Sequence, residues 1–135
     1  IVTEDGEILG KHTGLFNYTI GQRKGLGIAY KHPLYVIGFN GERNEVIVGP
    51  NDRLFTNRMI CKFYNFLDDT IHKELKAEGK IRYAANPSPC TARILDDDTM
   101  EVIFEEPQRA ITPGQSVAFY NGTQLLGGAV IDRVC

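Results

Sequence analysis

Short apolar runs recur along the chain, many of them alternating with polar residues at every second position, and they are cut by Asn, Gly, Asp and Pro. That period of two is the signature of β-strands with one buried face. Leu34-Tyr35-Val36-Ile37-Gly38-Phe39 is β-branched and aromatic; a polar turn, Asn40 to Asn44, leads to Glu45-Val46-Ile47-Val48, and the pair predicts a hairpin. Met59 to Phe66 predicts a strand with Cys61 and Phe63 on one face and Ile60, Lys62 and Tyr64 on the other. Lys80-Ile81-Arg82-Tyr83-Ala84 alternates cleanly. Thr91 to Leu95 and Met100 to Phe104 flank the turn Asp96-Asp97-Asp98-Thr99. Ser116 to Tyr120 runs into Asn121-Gly122, a strong hairpin signal, and Leu125 to Val134 returns.

Helix signals are few. Thr19-Ile20-Gly21-Gln22 matches a capping box, but Gly25 stops whatever begins there, so one or two turns are the most it predicts. Asp68 to Ala77 reads as a short helix or an irregular excursion. Phe55-Thr56-Asn57-Arg58 separates two strand runs. A length of 135 residues allows one ordinary domain or two small ones. The expected architecture is mainly β, with a small β domain over residues 1–57 and a β-barrel over 58–135.

Composition bounds the class. Apolar residues at 42% and charged residues at 24% suit a folded globular chain and exclude disorder. No apolar run approaches the ~18 residues of a membrane span, and the opening residues do not read as a signal peptide. The chain begins at Ile1 without an initiator Met, as expected of a piece of a longer protein. Cys61, Cys90 and Cys135 are odd in number and widely spaced, which fits neither a disulfide framework nor a zinc site. Cys61 and Cys90 lie in apolar stretches and read as buried structural thiols, in keeping with a reducing, cytoplasmic setting.

The net charge of −2 speaks against a polyanionic partner, but the charges are segregated. Lys11 to Pro33 holds no acid and carries Lys11, Arg23, Lys24 and Lys31. A second acid-free stretch, Gly79 to Leu95, carries Lys80, Arg82 and Arg93; a third, Pro107 to Ile131, carries Arg109. Acids gather at Asp68-Asp69, Asp96-Asp97-Asp98 and Glu105-Glu106. Basic stretches on a shared face would suit a phosphate backbone, whereas separate ones are ordinary solvated faces.

Two motifs stand out. Gly21-Gln22-Arg23-Lys24-Gly25-Leu26-Gly27 combines three glycines with adjacent cations, suiting either a structural turn or an anion site. It has neither the P-loop nor the dinucleotide spacing. Pro107-Gln108-Arg109-Ala110-Ile111-Thr112-Pro113-Gly114-Gln115 reads as an ordered loop between strands. It is either a plain crossover or a presenter of Arg109 and Gln115 to a polar partner. His12, His32 and His72 lack metal spacing, and no nucleophile with a base can be assembled.

Taken together these words resemble the tRNA 2-thiouridylase family, known under an older label as tRNA methyltransferases. The resemblance rests on Gly10-x-His12-x-Gly14, Tyr18 through Gly27, Leu34-Tyr35-Val36, Asn44-x-Val46-x-Val48-Gly49, Lys80-Ile81-Arg82-Tyr83, Pro89-Cys90, Pro107 through Gln115, and Leu126-Gly127-Gly128-x-Val130-Ile131. It implies a central β domain followed by a barrel like domain 2 of elongation factor Tu, both holding tRNA. It implies an ATP-dependent 2-thiolation of the wobble uridine by a separate PP-loop domain with an S-G-G-x-D-S motif and two cysteines. That motif is absent here, so Cys61, Cys90 and Cys135 inherit no catalytic role and this stretch is expected to be inactive by itself. The implied partners are tRNA and a sulfur-relay protein or cysteine desulfurase, with a persulfide as sulfur donor. The tRNA-contact positions of the family fall on Arg82, Tyr83 and Gln115; Arg23, Lys24 and Arg109 are further candidates. Two departures are Asn65-Phe66, where many members read N-W, and Ala84, where many have a further Arg. The competing reading is a freestanding β-barrel interaction module without a nucleic-acid partner.

Overall fold

The computed structural model describes residues 1–67, 73–82 and 86–135, which form two compact units, Ile1–Phe55 and Thr56–Cys135. The described residues are mainly β, a small mixed sheet and a closed barrel, as the alternation predicts. No helix among them is long and apolar enough to cross a membrane.

In the first unit, β1 (Val2–Thr3), β2 (Tyr35–Asn40) and β3 (Glu45–Gly49) form a sheet in the order β1-β3-β2. The hairpin β2–β3 is antiparallel and β1 joins β3 in parallel. Val36, Val46 and Val48 are fully buried, with Ile1, Leu26 and Leu34 packed among them. His12 locks the hairpin loop. Its Nδ1 accepts the Gly14 N–H at 3.0 Å and its Nε2 lies 2.6 Å from the Asn44 carbonyl, so the tautomer protonated on Nε2 satisfies both. Asn44 there takes a left-handed φ of 55°.

The expected helical start at Thr19 is instead a β-turn. The Gln22 N–H donates to the Thr19 carbonyl at 3.0 Å and Gly21 sits at φ 92°, which no helix permits. The capping-box geometry survives in part, because the Gln22 side chain accepts the Thr19 N–H at 3.0 Å. The nearest helical turn is a short 3-10 segment at Leu15–Asn17, and a second follows β3 at Asn51–Leu54.

The second unit is a closed barrel of six strands: β4 (Phe55–Phe66), β5 (Glu74–Lys80), β6 (Ser88–Ile94), β7 (Thr99–Arg109), β8 (Ser116–Asn121) and β9 (Gln124–Val134), in the order β4-β7-β6-β5-β8-β9. Phe104, Phe119, Met59, Met100 and Ile131 fill it. Gly79 faces inward because Phe104 occupies the space a side chain there would need: a Cβ would lie 3.0 Å from its ring. Gly127 lets β9 approach β4 so closely that a Cβ would meet the Asn65 carbonyl at 2.2 Å.

Several expected boundaries and one face assignment are corrected. Phe55 to Arg58 is not a separator but the start of β4. Residues 74–77 are strand rather than helix or excursion, pairing with β6; residues 68–72 of that segment, including His72, lie outside the described residues. Strand β5 ends at Lys80, so Ile81 and Arg82 follow it, and Tyr83 and Ala84 lie outside the described residues. Strand β7 runs on through Pro107 to Arg109, where a loop was expected. In β4 the simple alternation breaks. Lys62 pairs with Val130 but Asn65 with Gly128, so two residues oppose one, and Phe63 adopts φ 53°. This bulge turns Phe63 outward, 69% exposed, and sends Tyr64 and Phe66 against the core.

Burial pushes the thiols of Cys61 and Cys90 up to about 12, keeping them protonated at neutral pH. Cys135 is exposed. A thiol titration of the native chain at pH 8 is therefore expected to find one reactive cysteine, and three after denaturation. Cys90→Ala is expected to lower stability by about 1–3 kcal/mol in denaturant unfolding, through lost packing.

Candidate nucleic-acid interface

Strands β5 and β8 pair antiparallel, with Gly79 opposite Phe119 and Lys80 opposite Ala118. The period of two sends Gly79 and the buried Ile81 inward, and places Lys80 and Arg82 on the outer wall. There they line a cleft of about 300 Å³ together with Gln115, Ser116, Ala118 and Tyr120. Arg82 is oriented from the side: its Nη2 donates to the Arg109 carbonyl. That bond uses one of five guanidinium N–H donors and leaves a fork suited to phosphate oxygens.

Gln115 reaches the same cleft by a turn written in its own sequence. In Thr112-Pro113-Gly114-Gln115 the Gln115 N–H donates to the Thr112 carbonyl at 3.2 Å, and Gly114 takes φ 91°, the type II arrangement with Pro and Gly at its centre. The turn is pinned to β9 twice, by Gly114 N–H to Ile131 O and by Ile131 N–H to Gln115 O, both 2.8 Å. Buried Ala110 and Ile111 anchor its other end, and the Thr112 hydroxyl donates to the Ala110 carbonyl at 2.9 Å.

Among the described residues the cleft lining holds two cations and no carboxylate. Glu78, on the same face of β5, instead accepts the Gly122 N–H at 3.3 Å. The fold thus brings Arg82, Gln115 and the backbone of Arg109 together, while the Arg109 side chain is half-buried at the end of β7. Tyr83 lies outside the described residues. Arg23 lines a separate cleft of about 760 Å³ in the first unit, with Tyr30, Lys31 and His32 among its walls. Lys24 is exposed on the neighbouring turn, where its carbonyl accepts from Gln22 Nε2 at 2.8 Å. Lys80, a cation of the acid-free stretch Gly79 to Leu95, joins the cleft as the residue two before Arg82 on one strand face. Ser116 and Tyr120 carry no such signal in the sequence and needed the β5–β8 register.

This arrangement can hold an anion and present a neutral amide beside it. Cys61 and Cys90 are buried with their thiols protonated at neutral pH, and among the described residues no three His, Cys, Asp or Glu gather as a metal site.

Comparison with known proteins agrees with the architecture. Residues 1–50 match the family model described as tRNA methyl transferase PRC-barrel domain, and residues 56–131 match that described as Aminomethyltransferase beta-barrel domain. Curated relatives named tRNA-specific 2-thiouridylase MnmA are similar over 98% of this chain: 47% identical in Clostridioides difficile (strain 630), 45% in Geobacter metallireducens and 46% in Clostridium botulinum (strain Eklund 17B). The chain spans about 37% of the length of these relatives. It belongs to the MnmA tRNA-specific 2-thiouridylase family, matching its middle and C-terminal barrel domains.

The turn that presents Gln115 depends on Gly114. Gly114→Ala forces an L-residue to φ 91° and is expected to cost about 1 kcal/mol or more in thermal or denaturant unfolding. Gly41→Ala, at a position with open space around it, serves as the near-neutral comparison.

Proposed function

We propose that this chain is the tRNA-holding part of a tRNA-uridine 2-sulfurtransferase. The reaction would be the ATP-dependent 2-thiolation of the wobble uridine, in the cytoplasm. ATP and a persulfide delivered by a sulfur-relay protein or cysteine desulfurase would be used by a PP-loop domain, whose S-G-G-x-D-S motif this sequence does not contain. The central part, residues 1–57, and the barrel, residues 58–135, would share the tRNA. The observation that carries the reading is the convergence of Arg82 and Gln115 on one cleft of the barrel wall that no carboxylate lines among the described residues. The family relationship supports it. A tRNA must be gripped along its backbone by groups that read little sequence. An oriented guanidinium supplies charge-assisted hydrogen bonds to phosphate, and Gln115 supplies a neutral one to phosphate or sugar. Tyr83 would add a stacking or hydrogen-bonding group beside Arg82.

Binding of a tRNA transcript measured at several salt concentrations tests this. Arg82→Ala is expected to weaken binding by on the order of 1–2 kcal/mol and to reduce the salt slope by about one phosphate's worth; Gln115→Ala should weaken binding without changing the slope. Unchanged affinity in both variants would move the contact to Arg23 and Lys24. Absence of salt-dependent tRNA binding by the wild type would favour an interaction module without nucleic acid. The purified chain is further expected to incorporate no sulfur into tRNA in the presence of ATP and a sulfide donor. Sulfur incorporation in a radiolabel assay would overturn the assignment of chemistry to another domain.

A further inference from the structure

The bulge in β4 holds a phenylalanine out in water at a backbone angle that disfavours it. Phe63 sits at φ 53° and is 69% exposed. A bulky L-residue is uncommon there, and the first position of a bulge with this conformation is usually Gly. Phe63 is absent from the core cluster, so core packing does not account for the phenyl ring. Strained positions of this kind gather at ligand sites.

The ring borders an apolar groove of about 470 Å³, walled also by Leu67 and Leu125 and floored by Ala118 and Gly128. Leu67 is 71% and Leu125 46% exposed. The groove adjoins the Arg82–Gln115 cleft: Ser116 and Ala118 line both. Strand register places Lys80, Ala118, Gly128 and Asn65 in one row across β5, β8, β9 and β4. Three strand spacings make that row about 14 Å long, a stretch that a short run of unpaired nucleotides spans. One end of the row carries Lys80 and Arg82, and among the described residues no carboxylate lines either cavity. Beyond the other end lies the acidic turn Asp96–Asp98, whose Asp98 carbonyl accepts the Phe63 N–H at 3.0 Å. The face is therefore polarised: it attracts phosphate at β5, repels it past β4, and offers an uncharged aromatic surface between.

We propose that this face is a base-stacking site in which Phe63 takes an unpaired nucleobase of an RNA whose phosphates lie against Lys80 and Arg82. The inference rests on the tRNA-binding reading and adds the single-stranded character of the segment bound. Aromatic platforms beside cationic grooves bind single strands in this way, since every base presents a π-face. A paired stem cannot offer its bases to Phe63, so the ligand is a loop, a bulge or an end.

The chain contains no Trp, so Phe63→Trp introduces a single fluorescent indole at the site. Saturable quenching by a tRNA transcript and by a short single-stranded oligonucleotide, but not by a fully paired RNA duplex, is the expected result. Phe63→Gly is expected to weaken tRNA binding about tenfold while leaving thermal stability equal or higher, because Gly relieves the left-handed strain. Three results overturn the inference: no quenching in a Phe63→Trp protein that still binds tRNA with Arg82-dependent affinity, equal quenching by the duplex, or sedimentation showing that Phe63→Gly abolishes self-association of the wild-type chain. The first leaves the tRNA-binding reading standing. Wild-type protein that binds no tRNA at all overturns that reading and this inference with it.

Discussion

Closing the six-strand barrel around Phe104 and Phe119 is the constraint on which the second unit depends. Closure requires β4 to serve as neighbour to both β7 and β9, and it requires an interior filled by side chains with no room to spare. Gly79 is left without a side chain because Phe104 fills its place, and Gly127 because β4 runs against it. Once those inward positions are settled, the outward ones follow by alternation. Lys80, Arg82, Ser116 and Ala118 share a wall because Gly79, Ile81, Val117 and Phe119 must face the core.

The same closure accounts for the break in alternation. β4 meets β9 through Lys62–Val130 and then Asn65–Gly128, and the extra residue is absorbed at Phe63. The bulge exchanges the expected faces of Phe63 and Tyr64. It is anchored rather than loose: Phe63 N–H and Tyr64 hydroxyl both donate to the Asp96–Asp98 turn. That turn is itself ordered by Asp96, whose carboxylate accepts the backbone N–H groups of Asp98 and Thr99, and these bonds hold its pKa below the usual range. An acidic cluster that could pass for a solvated turn thus fixes an aromatic residue on the far side of a strand.

The first unit answers the glycine-rich motif differently. Gly21, Gly25 and Gly27 all take positive φ, so each meets a conformational need of the chain. Gly21 and Gln22 bond to Val36 on the edge of the sheet, at 2.8 and 2.9 Å. The structural role of this loop is therefore concrete, while Arg23 and Lys24 remain exposed on it.

By itself, the sequence determined the strand-rich architecture, the hairpins at Asn40–Asn44 and Asn121-Gly122, and an ordered Pro/Gly segment leading to Gln115. These rest on period-two alternation and on Gly, Pro and Asn at fixed offsets, all of which are local. The family words around Arg82 and Gln115 pointed to two residues of the cleft. Tertiary structure decided the remainder. Arg82 and Arg109 are 27 residues apart, and their hydrogen bond exists because β5 and β7 end at the same part of the wall. Ser116 and Tyr120 join the cleft through a register that no local pattern encodes. The outward turn of Phe63 was opposite to its reading, because an alternation count assumes an unbroken ladder. A bulge sets two residues of one strand against one of its partner, and that register exists only once the partner strand is in place.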